Sequence, residues 1–287
     1  MANHTTGNES AAIVTERPYQ AEICNICGST RYSVVHHFDE WNLGRDPVRN
    51  VDIIRCRGCG VRRRKPGIID EYEETYHTPY IEQGQAIHPH QLSHFADLMT
   101  ARLRQFNQIG VRFLDVGCST GRALRLARAI GFSVVGLDYS KWAVDFCTGL
   151  GFETRQGSLI GQWQEAEVFD VIHCCHTIEH VPDPMAYLVE FYPLLKSGGQ
   201  AMVAMPNYAS IERLILRDNW GPFCLDSHLW QFAAAQMCRL LRQTGFSIAF
   251  CRTLHGHAPD GRLKRRLLDA ASAIGFADGC NIIAVKA

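Results

Sequence analysis

The sequence of 287 residues is long enough for one large domain, or a large and a small one, with a substantial buried core. Lysine and arginine (29) balance aspartate and glutamate (29), which argues against nucleic acid or an anionic membrane as the partner. No apolar run approaches the roughly 18 residues of a membrane-spanning helix, and the first residues are polar, so the sequence predicts a cytoplasmic protein.

Two Cys-x-x-Cys pairs stand near the amino terminus, behind a polar segment, residues 1–19, that is predicted to be a disordered tail. A glycine follows each pair, and four thiolates complete a tetrahedral zinc site with no open coordination position. Residues 20–66 are therefore predicted to form a zinc ribbon with a structural Zn²⁺, the alternative being two unrelated cysteine pairs. The four predicted zinc ligands are Cys24, Cys27, Cys56 and Cys59.

A basic run, Arg62–Lys65, follows the second cysteine pair. Contact with RNA or another anion is one interpretation of this run. The chain carries no excess of positive charge, and no aromatic residues interleave with the arginines. The sequence therefore favours a solvated strand edge.

An apolar strand runs into a glycine-bearing turn between residues 112 and 121. Asp115 stands near the end of the strand, Gly117–Gly121 forms the turn, and helical spacing follows. Strand, tight turn and helix make the front half of a nucleotide-binding βαβ unit, in which backbone N–H groups approach the ligand. The next strand, residues 133–137, ends on Asp138, where such units place an acid on ribose hydroxyls.

This turn lacks the dinucleotide fingerprint, because Ser119 and Arg122 occupy the positions of its second and third glycines. Its Asp-x-Gly-x-Ser-x-Gly pattern resembles motif I of the class I S-adenosylmethionine (SAM) methyltransferases, and four further motifs follow in that family's order. The four motifs are Gly136–Ser140, Phe169–Ile172, Glu179–Pro184 and Leu194–Gln200. The resemblance implies an α/β fold: a doubly wound, Rossmann-like sheet of about seven strands, the last antiparallel, behind the small zinc ribbon.

The resemblance also implies where SAM binds and how the chain divides. Residues 107–287 correspond to the SAM-binding domain, and residues 67–106 to a helical cover that family members fold over the cofactor. Many members carry an acid where this sequence has Ser158. The residues that the motifs assign to SAM are Asp115, Gly117, Cys118, Ser119, Gly121, Asp138, Tyr139, Ser158, Leu159 and His176.

The segment 206–232 follows the fifth predicted strand and is rich in aromatic and polar residues, which makes it the predicted substrate lid. Within it, His228 is the predicted general base, since an imidazole with a pKa near 6.5 can take a hydroxyl proton during methyl transfer. Asp226 is close enough in sequence to orient the ring. The alternative role of His228 is to cap the following helix, and His176 is the alternative base.

His176 and His180 have the i, i+4 spacing of a metal-binding pair. No carboxylate completes the His-Glu-x-x-His register of a zinc protease, so the spacing does not predict a metal site. His180 is predicted to tether its loop through hydrogen bonds.

The ribbon together with Leu225–Phe232 is similar to zinc-ribbon methyltransferases of sugar and natural-product pathways. The predicted reaction is SAM-dependent O-methylation of a small-molecule hydroxyl. Sugar C-methylation is an alternative, although the related C-methyltransferases carry a glutamate where this chain has Ser227. The sequence also admits an rRNA or tRNA base methyltransferase whose ribbon contacts RNA, or a non-catalytic SAM-fold binding protein. The acceptor and the oligomeric state stay open.

Overall fold

The computed structural model describes residues 18–20, 22–41, 48–65, 110–223, 227–255 and 272–287. The predicted helical cover, residues 67–106, lies outside the described residues, as do residues 1–17 of the predicted tail. The strands in chain order are β1 (Tyr32–Trp41), β2 (Val48–Cys56), β3 (Arg62–Lys65), β4 (Arg112–Val116), β5 (Ser133–Asp138), β6 (Glu153–Gln156), β7 (Phe169–Cys175), β8 (Leu195–Pro206), β9 (Trp230–Gln231), β10 (Ser247–Leu254) and β11 (Gly279–Val285). The helices are α1 (Arg122–Ala129), α2 (Lys141–Gly149), α3 (Pro184–Leu194), α4 (Ile211–Leu216) and α5 (Ala234–Gln243).

Seven strands form one sheet in the order β10-β11-β8-β7-β4-β5-β6. Strands β4 to β8 run parallel, and β11 is antiparallel to both of its neighbours. This sheet confirms the predicted α/β fold, including the antiparallel last strand. Strand order reverses between β4 and β7, so the carboxyl ends of these two strands border the crevice in which such sheets bind ligands.

Helices α2 and α3 begin at residues whose side chains cap the first turn. Ser140 accepts a hydrogen bond from the backbone of Ala143 at the start of α2, and Asp183 accepts one from Ala186 at the start of α3. Helix α3 ends at Leu194. It ends there because the next residue, Leu195, is extended and already pairs with Phe169 of β7.

The ribbon strands form a second sheet in the order β1-β2-β3-β9. Its last strand comes from the segment 206–232, because Arg62 and Arg63 of β3 pair with Gln231 and Trp230 of β9. The ribbon is therefore continuous with the segment that the sequence predicted to be a lid.

Aromatic side chains join the same two regions in one buried cluster. Trp220 and Phe223, from the predicted lid, pack edge-on against each other, and Phe223 also packs against Phe38 of β1. The buried members of the cluster are Phe38, Trp41, Val51, Ile53, Tyr208, Trp220 and Phe223. The aromatic residues of the segment 206–232 therefore pack on the ribbon, and the assignment of this segment as a substrate lid stays a prediction.

The prediction of a solvated strand edge for the basic run is wrong for its two middle residues. Arg63 is 1% exposed and Arg64 is 4% exposed. The strand is also not an edge strand, because β3 lies between β2 and β9. The guanidinium of Arg62 lies over the ring of Tyr208, 4.2 Å from its centroid.

Candidate active site

The glycine turn wraps around the end of the neighbouring strand. The N–H groups of Gly117 and Cys118 donate to the carbonyl of Leu137, at 2.8 and 3.1 Å. Gly117 has a φ of 80°, and a Cβ at this position would lie 2.2 Å from Oγ1 of Thr177. Glycine is therefore required here both by the left-handed backbone and by the close approach of the loop after β7.

Two residues other than glycine also adopt left-handed backbone conformations at the carboxyl end of the sheet. Ser119 in the glycine turn has a φ of 47°, and His176, directly after β7, has a φ of 52°. Such conformations cost free energy and are concentrated at functional sites. Ser119 follows β4 and His176 follows β7, and the strand order reverses between these two strands.

Asp138 lies beside the glycine turn at the end of β5. Its Oδ2 accepts a hydrogen bond from the backbone of Ser119 at 2.8 Å, and its Oδ1 accepts one from Ser140 at 2.9 Å. Burial raises the pKa of Asp138, and these two hydrogen bonds oppose the rise. The side chain of Tyr139, the next residue, is exposed.

The other residues assigned to SAM lie at or near the carboxyl ends of β4 and β6. Asp115 is buried, and its Oδ1 lies 2.7 Å from Nδ1 of His173 on β7. The Cys118 side chain and Leu159 are also buried. Gly121 begins α1 with a φ of 71°. Ser158, after β6, donates a hydrogen bond from its hydroxyl to the Tyr187 hydroxyl at 3.2 Å.

His176 and Glu179 form an ion pair in the loop after β7. Nδ1 of His176 lies 3.3 Å from Oε1 of Glu179, and the His176 side chain is 48% exposed. Burial lowers the pKa of His176, but the contact with Glu179 outweighs it and the pKa is raised overall. This loop lies beside the glycine turn, because Val116 of β4 pairs with Cys174 of β7.

The Glu179 carboxylate is 2% exposed and is surrounded by three histidines, His176, His180 and His228. Neither of its oxygens accepts a hydrogen bond from the residues that the structure describes. Burial raises the pKa of Glu179, but the nearby imidazoles outweigh burial and lower it to about 2. Among the described residues, the carboxylate is therefore a buried charge whose neighbouring polar groups are these three rings.

His228, the predicted base, is buried beside this carboxylate. Its Nδ1 donates to the carbonyl of Pro222 at 3.0 Å, and its Nε2 lies 3.9 Å from Oε1 of Glu179. Burial lowers the pKa of His228 to about 3. Its predicted partner Asp226 lies outside the described residues.

The predicted tether role of His180 is confirmed. Nδ1 of His180 donates to the carbonyl of Ser227 at 3.2 Å, and its ring packs edge-on against His228 with centroids 4.5 Å apart. The backbone of Leu229 and Trp230 donates to the carbonyl of Glu179, at 2.9 and 3.1 Å. The loop after β7 and the segment around His228 therefore form one structural unit.

The sequence did not predict three contributors to this site. Thr177 leaves no room for a Cβ at Gly117, and His173 pairs with Asp115. The hydroxyl of Tyr187 accepts a hydrogen bond from Ser158. Glu179, to which the sequence analysis assigned no role, did carry a signal, because it belongs to the recognised motif Glu179–Pro184. The others are ordinary strand, loop and helix residues whose partners lie far away in the sequence.

The four cysteines predicted to bind zinc lie together. The Sγ atoms of Cys24 and Cys59 are 3.7 Å apart, and those of Cys27 and Cys56 are 3.5 Å apart. All four sulfur atoms are within 4.8 Å of one another. The glycines after the two pairs, Gly28 and Gly60, have φ values of 71° and 77°, as a tight turn around the sulfurs requires.

Fold and motifs define a class I SAM-dependent methyltransferase. A family model described as a methyltransferase domain matches residues 88–249, more than half of the chain, and the protein belongs to this family. SAM is its cofactor. Among the described residues, no helix has both the length and the hydrophobicity of a membrane span.

One similar protein is the ubiquinone biosynthesis O-methyltransferase of Ruegeria sp. (strain TM1040), 33% identical over 96 residues, which cover 31% of this chain and 39% of that protein. The chain spans less than half the length of the curated relatives it matches first.

Two solved structures share the fold. One is the [4+2]-cyclase SpnF, with a TM-score of 0.55 at 19% identity over 74% of this chain and 94% of that chain. The other is a complex of the Haloferax volcanii Trm112 methyltransferase activator with a methyltransferase, with a TM-score of 0.52 at 18% identity over 67% of this chain and 88% of that chain. At these identities the likeness extends to the fold alone.

Proposed function

We propose that this methyltransferase transfers the methyl group of SAM to a hydroxyl of a small molecule, such as a sugar or another natural product. The observation that carries the proposal is the contact between Gly117 and Thr177. It brings the cofactor turn against the loop that holds the His176–Glu179 pair. The methyl group of a sulfonium is already activated, so the enzyme has to align the acceptor hydroxyl and remove its proton.

His176 is the better placed of the two candidate bases. It is half exposed at the carboxyl end of β7, and Glu179 holds its Nδ1, which directs Nε2 away from the carboxylate. His228 was the first choice from the sequence, but its ring is buried and its Nδ1 is held by Pro222. We therefore assign the acceptance of the hydroxyl proton to His176, with His228 as the alternative.

SAM is expected to bind along the carboxyl edge formed by β4, β5 and β6. Asp138 accepts the ribose hydroxyls in this proposal, and Tyr139 lies beside the adenine. Gly117, Ser119 and Gly121 approach the methionine part with their backbone, while Asp115 and Cys118 support the turn from inside. Ser158 and Leu159 flank the adenine from the next turn.

The zinc ribbon is proposed from the geometry of its donors. A tetrahedral zinc ion with Zn–S bonds of about 2.3 Å separates its sulfur ligands by about 3.8 Å. The two shortest sulfur distances here, 3.7 and 3.5 Å, fit that value.

An oxygen acceptor is supported by the similarity to a ubiquinone biosynthesis O-methyltransferase, a name that belongs to that relative. An RNA acceptor has less support than the basic run alone suggests, because Arg63 and Arg64 are buried and form no basic surface. Sugar C-methylation stays as the alternative reaction, although this chain has Ser227 where the related sugar C-methyltransferases carry a glutamate.

The test incubates the protein with SAM carrying a ¹³C methyl group and either a small-molecule extract or total RNA. We expect one methyl group on a small molecule and none on RNA. His176→Ala should lower kcat by about 10²–10⁴ while SAM affinity is unchanged. His37→Ala, which removes an exposed histidine of the ribbon, is the matched control. Near-normal turnover of His176→Ala would move the proton acceptor to His228.

A further inference from the structure

Three potential metal ligands meet at the buried end of the His176 loop. Glu179 and His180 come from the loop after β7, and His228 comes from the segment before β9. One carboxylate oxygen and one nitrogen of each ring lie within 4.8 Å of one another. Ligand bonds of about 2.0–2.2 Å to one ion require these three side chains to turn toward a common centre.

The Glu179 carboxylate lacks the partners that a buried charge normally has. Neither oxygen accepts a hydrogen bond among the described residues, although the side chain is 2% exposed. An ionised carboxylate is costly to bury unless it is paired or coordinates a metal ion. His176 reaches only Oε1, at 3.3 Å from the exposed side, so this ion pair accounts for one oxygen of two.

The two other histidines have the hydrogen bonds that are typical of metal ligands. Nδ1 of His180 donates to the carbonyl of Ser227, and Nδ1 of His228 donates to the carbonyl of Pro222. A ligating imidazole usually donates one ring N–H to a backbone carbonyl or carboxylate, which fixes the tautomer and leaves the lone pair on the other nitrogen. In His228 that other nitrogen, Nε2, is the atom that faces Glu179.

We propose that Glu179, His180 and His228 together bind one divalent cation that accepts both nitrogen and oxygen ligands, such as Zn²⁺ or Mn²⁺. Two imidazoles and one carboxylate leave coordination positions open. The role of the ion rests on the proposed O-methylation. Bound to the acceptor oxygen, it lowers the pKa of the hydroxyl. His176 takes the proton, the oxygen bonds to the methyl carbon, and the C–S bond breaks with its electron pair on sulfur.

The experiment measures Mn²⁺ binding to the 287-residue chain with its ribbon zinc in place. Mn²⁺ is a suitable probe, because carboxylate and imidazole ligands accept it while four thiolates select zinc. Electron paramagnetic resonance follows the loss of the free Mn²⁺ signal, and calorimetry gives the stoichiometry. We expect one Mn²⁺ per chain, and affinity about 100-fold weaker in Glu179→Gln and in His228→Ala.

The control removes the other carboxylate–histidine cluster of the described chain, which consists of Glu212, His255 and Asp278. Glu212→Gln should bind Mn²⁺ like the unaltered protein, and SAM affinity reports whether each variant is folded. Absence of Mn²⁺ binding in the unaltered protein would overturn the proposal. Full Mn²⁺ binding by both Glu179→Gln and His228→Ala, when both variants are folded, would also overturn it. So would loss of Mn²⁺ binding in Glu212→Gln alone.

Neither measurement needs the acceptor, so the two proposals fail separately. A protein that binds Mn²⁺ through Glu179 but methylates no hydroxyl refutes the proposed function and leaves the metal site standing. A protein that methylates a hydroxyl without binding Mn²⁺ refutes the metal site and leaves the function standing.

Discussion

Nε2 of His228 lies 3.9 Å from Oε1 of Glu179, although the two residues belong to different segments of the chain. The backbone of Leu229 and Trp230 holds the same glutamate through its carbonyl, and Trp230 begins the strand that pairs with the ribbon. A single segment therefore connects the predicted zinc ribbon, the buried carboxylate and the end of β7. The position of the ribbon and the geometry of the candidate active site depend on each other.

Asp138 is expected to bind the ribose of SAM. A charge-assisted hydrogen bond that is lost costs roughly 1.5–3 kcal/mol, so Asp138→Ala should weaken SAM binding about ten- to a hundredfold in calorimetry. Asp145→Ala is the control, because Asp145 lies on the nearby helix α2 and only pairs with Lys141 in solvent. An unchanged dissociation constant in folded Asp138→Ala would reject this role.

Replacing both Cys24 and Cys56 by serine should remove about one zinc ion per chain, as measured by elemental analysis. Both residues are buried in the main hydrophobic core, so the melting temperature should also fall. Cys251→Ser provides the comparison, since Cys251 is exposed on β10. Zinc content that stays the same in the double variant would exclude the ribbon.

Gly117→Ala should be destabilising for two separable reasons. The new Cβ would lie 2.2 Å from Oγ1 of Thr177, and the backbone φ of 80° is unfavourable for alanine by about 1 kcal/mol. Adding Thr177→Ala removes the nearest clashing atom but not the backbone strain. Urea unfolding of both single variants and the double variant should show partial rescue. Strictly additive losses would mean that Thr177 does not press on this turn.

Asn207 lies in the segment predicted to be the substrate lid, and it is completely buried. Its amide donates to the carbonyls of Gly275 and Ala277, and its oxygen accepts from the backbone of Ala209 and Ala234.

Asn207→Ala should lower the free energy of unfolding by about 3 kcal/mol, because buried backbone groups lose their partners. Urea denaturation measures this loss. Asn219→Ala, at an exposed position of the same segment, should change stability by less than about 0.5 kcal/mol. Equal stability of the two variants would contradict a stabilising role for the hydrogen bonds of Asn207.

The parts of the fold that could be predicted from the sequence are those that depend on local motifs. The Cys-x-x-Cys-Gly pairs and the Asp115–Gly121 turn each encode their own backbone geometry, and the order of the later motifs fixed the sheet. The pairing of β3 with β9, which brings the segment 206–232 onto the ribbon, was not predictable, because it joins residues that are far apart in the sequence. Side-chain partners across such distances, including the ring of His228 beside Glu179, leave no local pattern in the sequence.

The central claim is that the methyl group of SAM reaches the oxygen of a small molecule, and one measurement tests it most directly. The protein is incubated with ¹³C-methyl SAM and a small-molecule extract, the labelled product is isolated, and its ¹³C NMR spectrum assigns the atom that carries the label. We predict an O-methyl carbon whose formation His176→Ala slows by about 10²–10⁴. A label on carbon or nitrogen, or a label found only in added RNA, would contradict the proposed function.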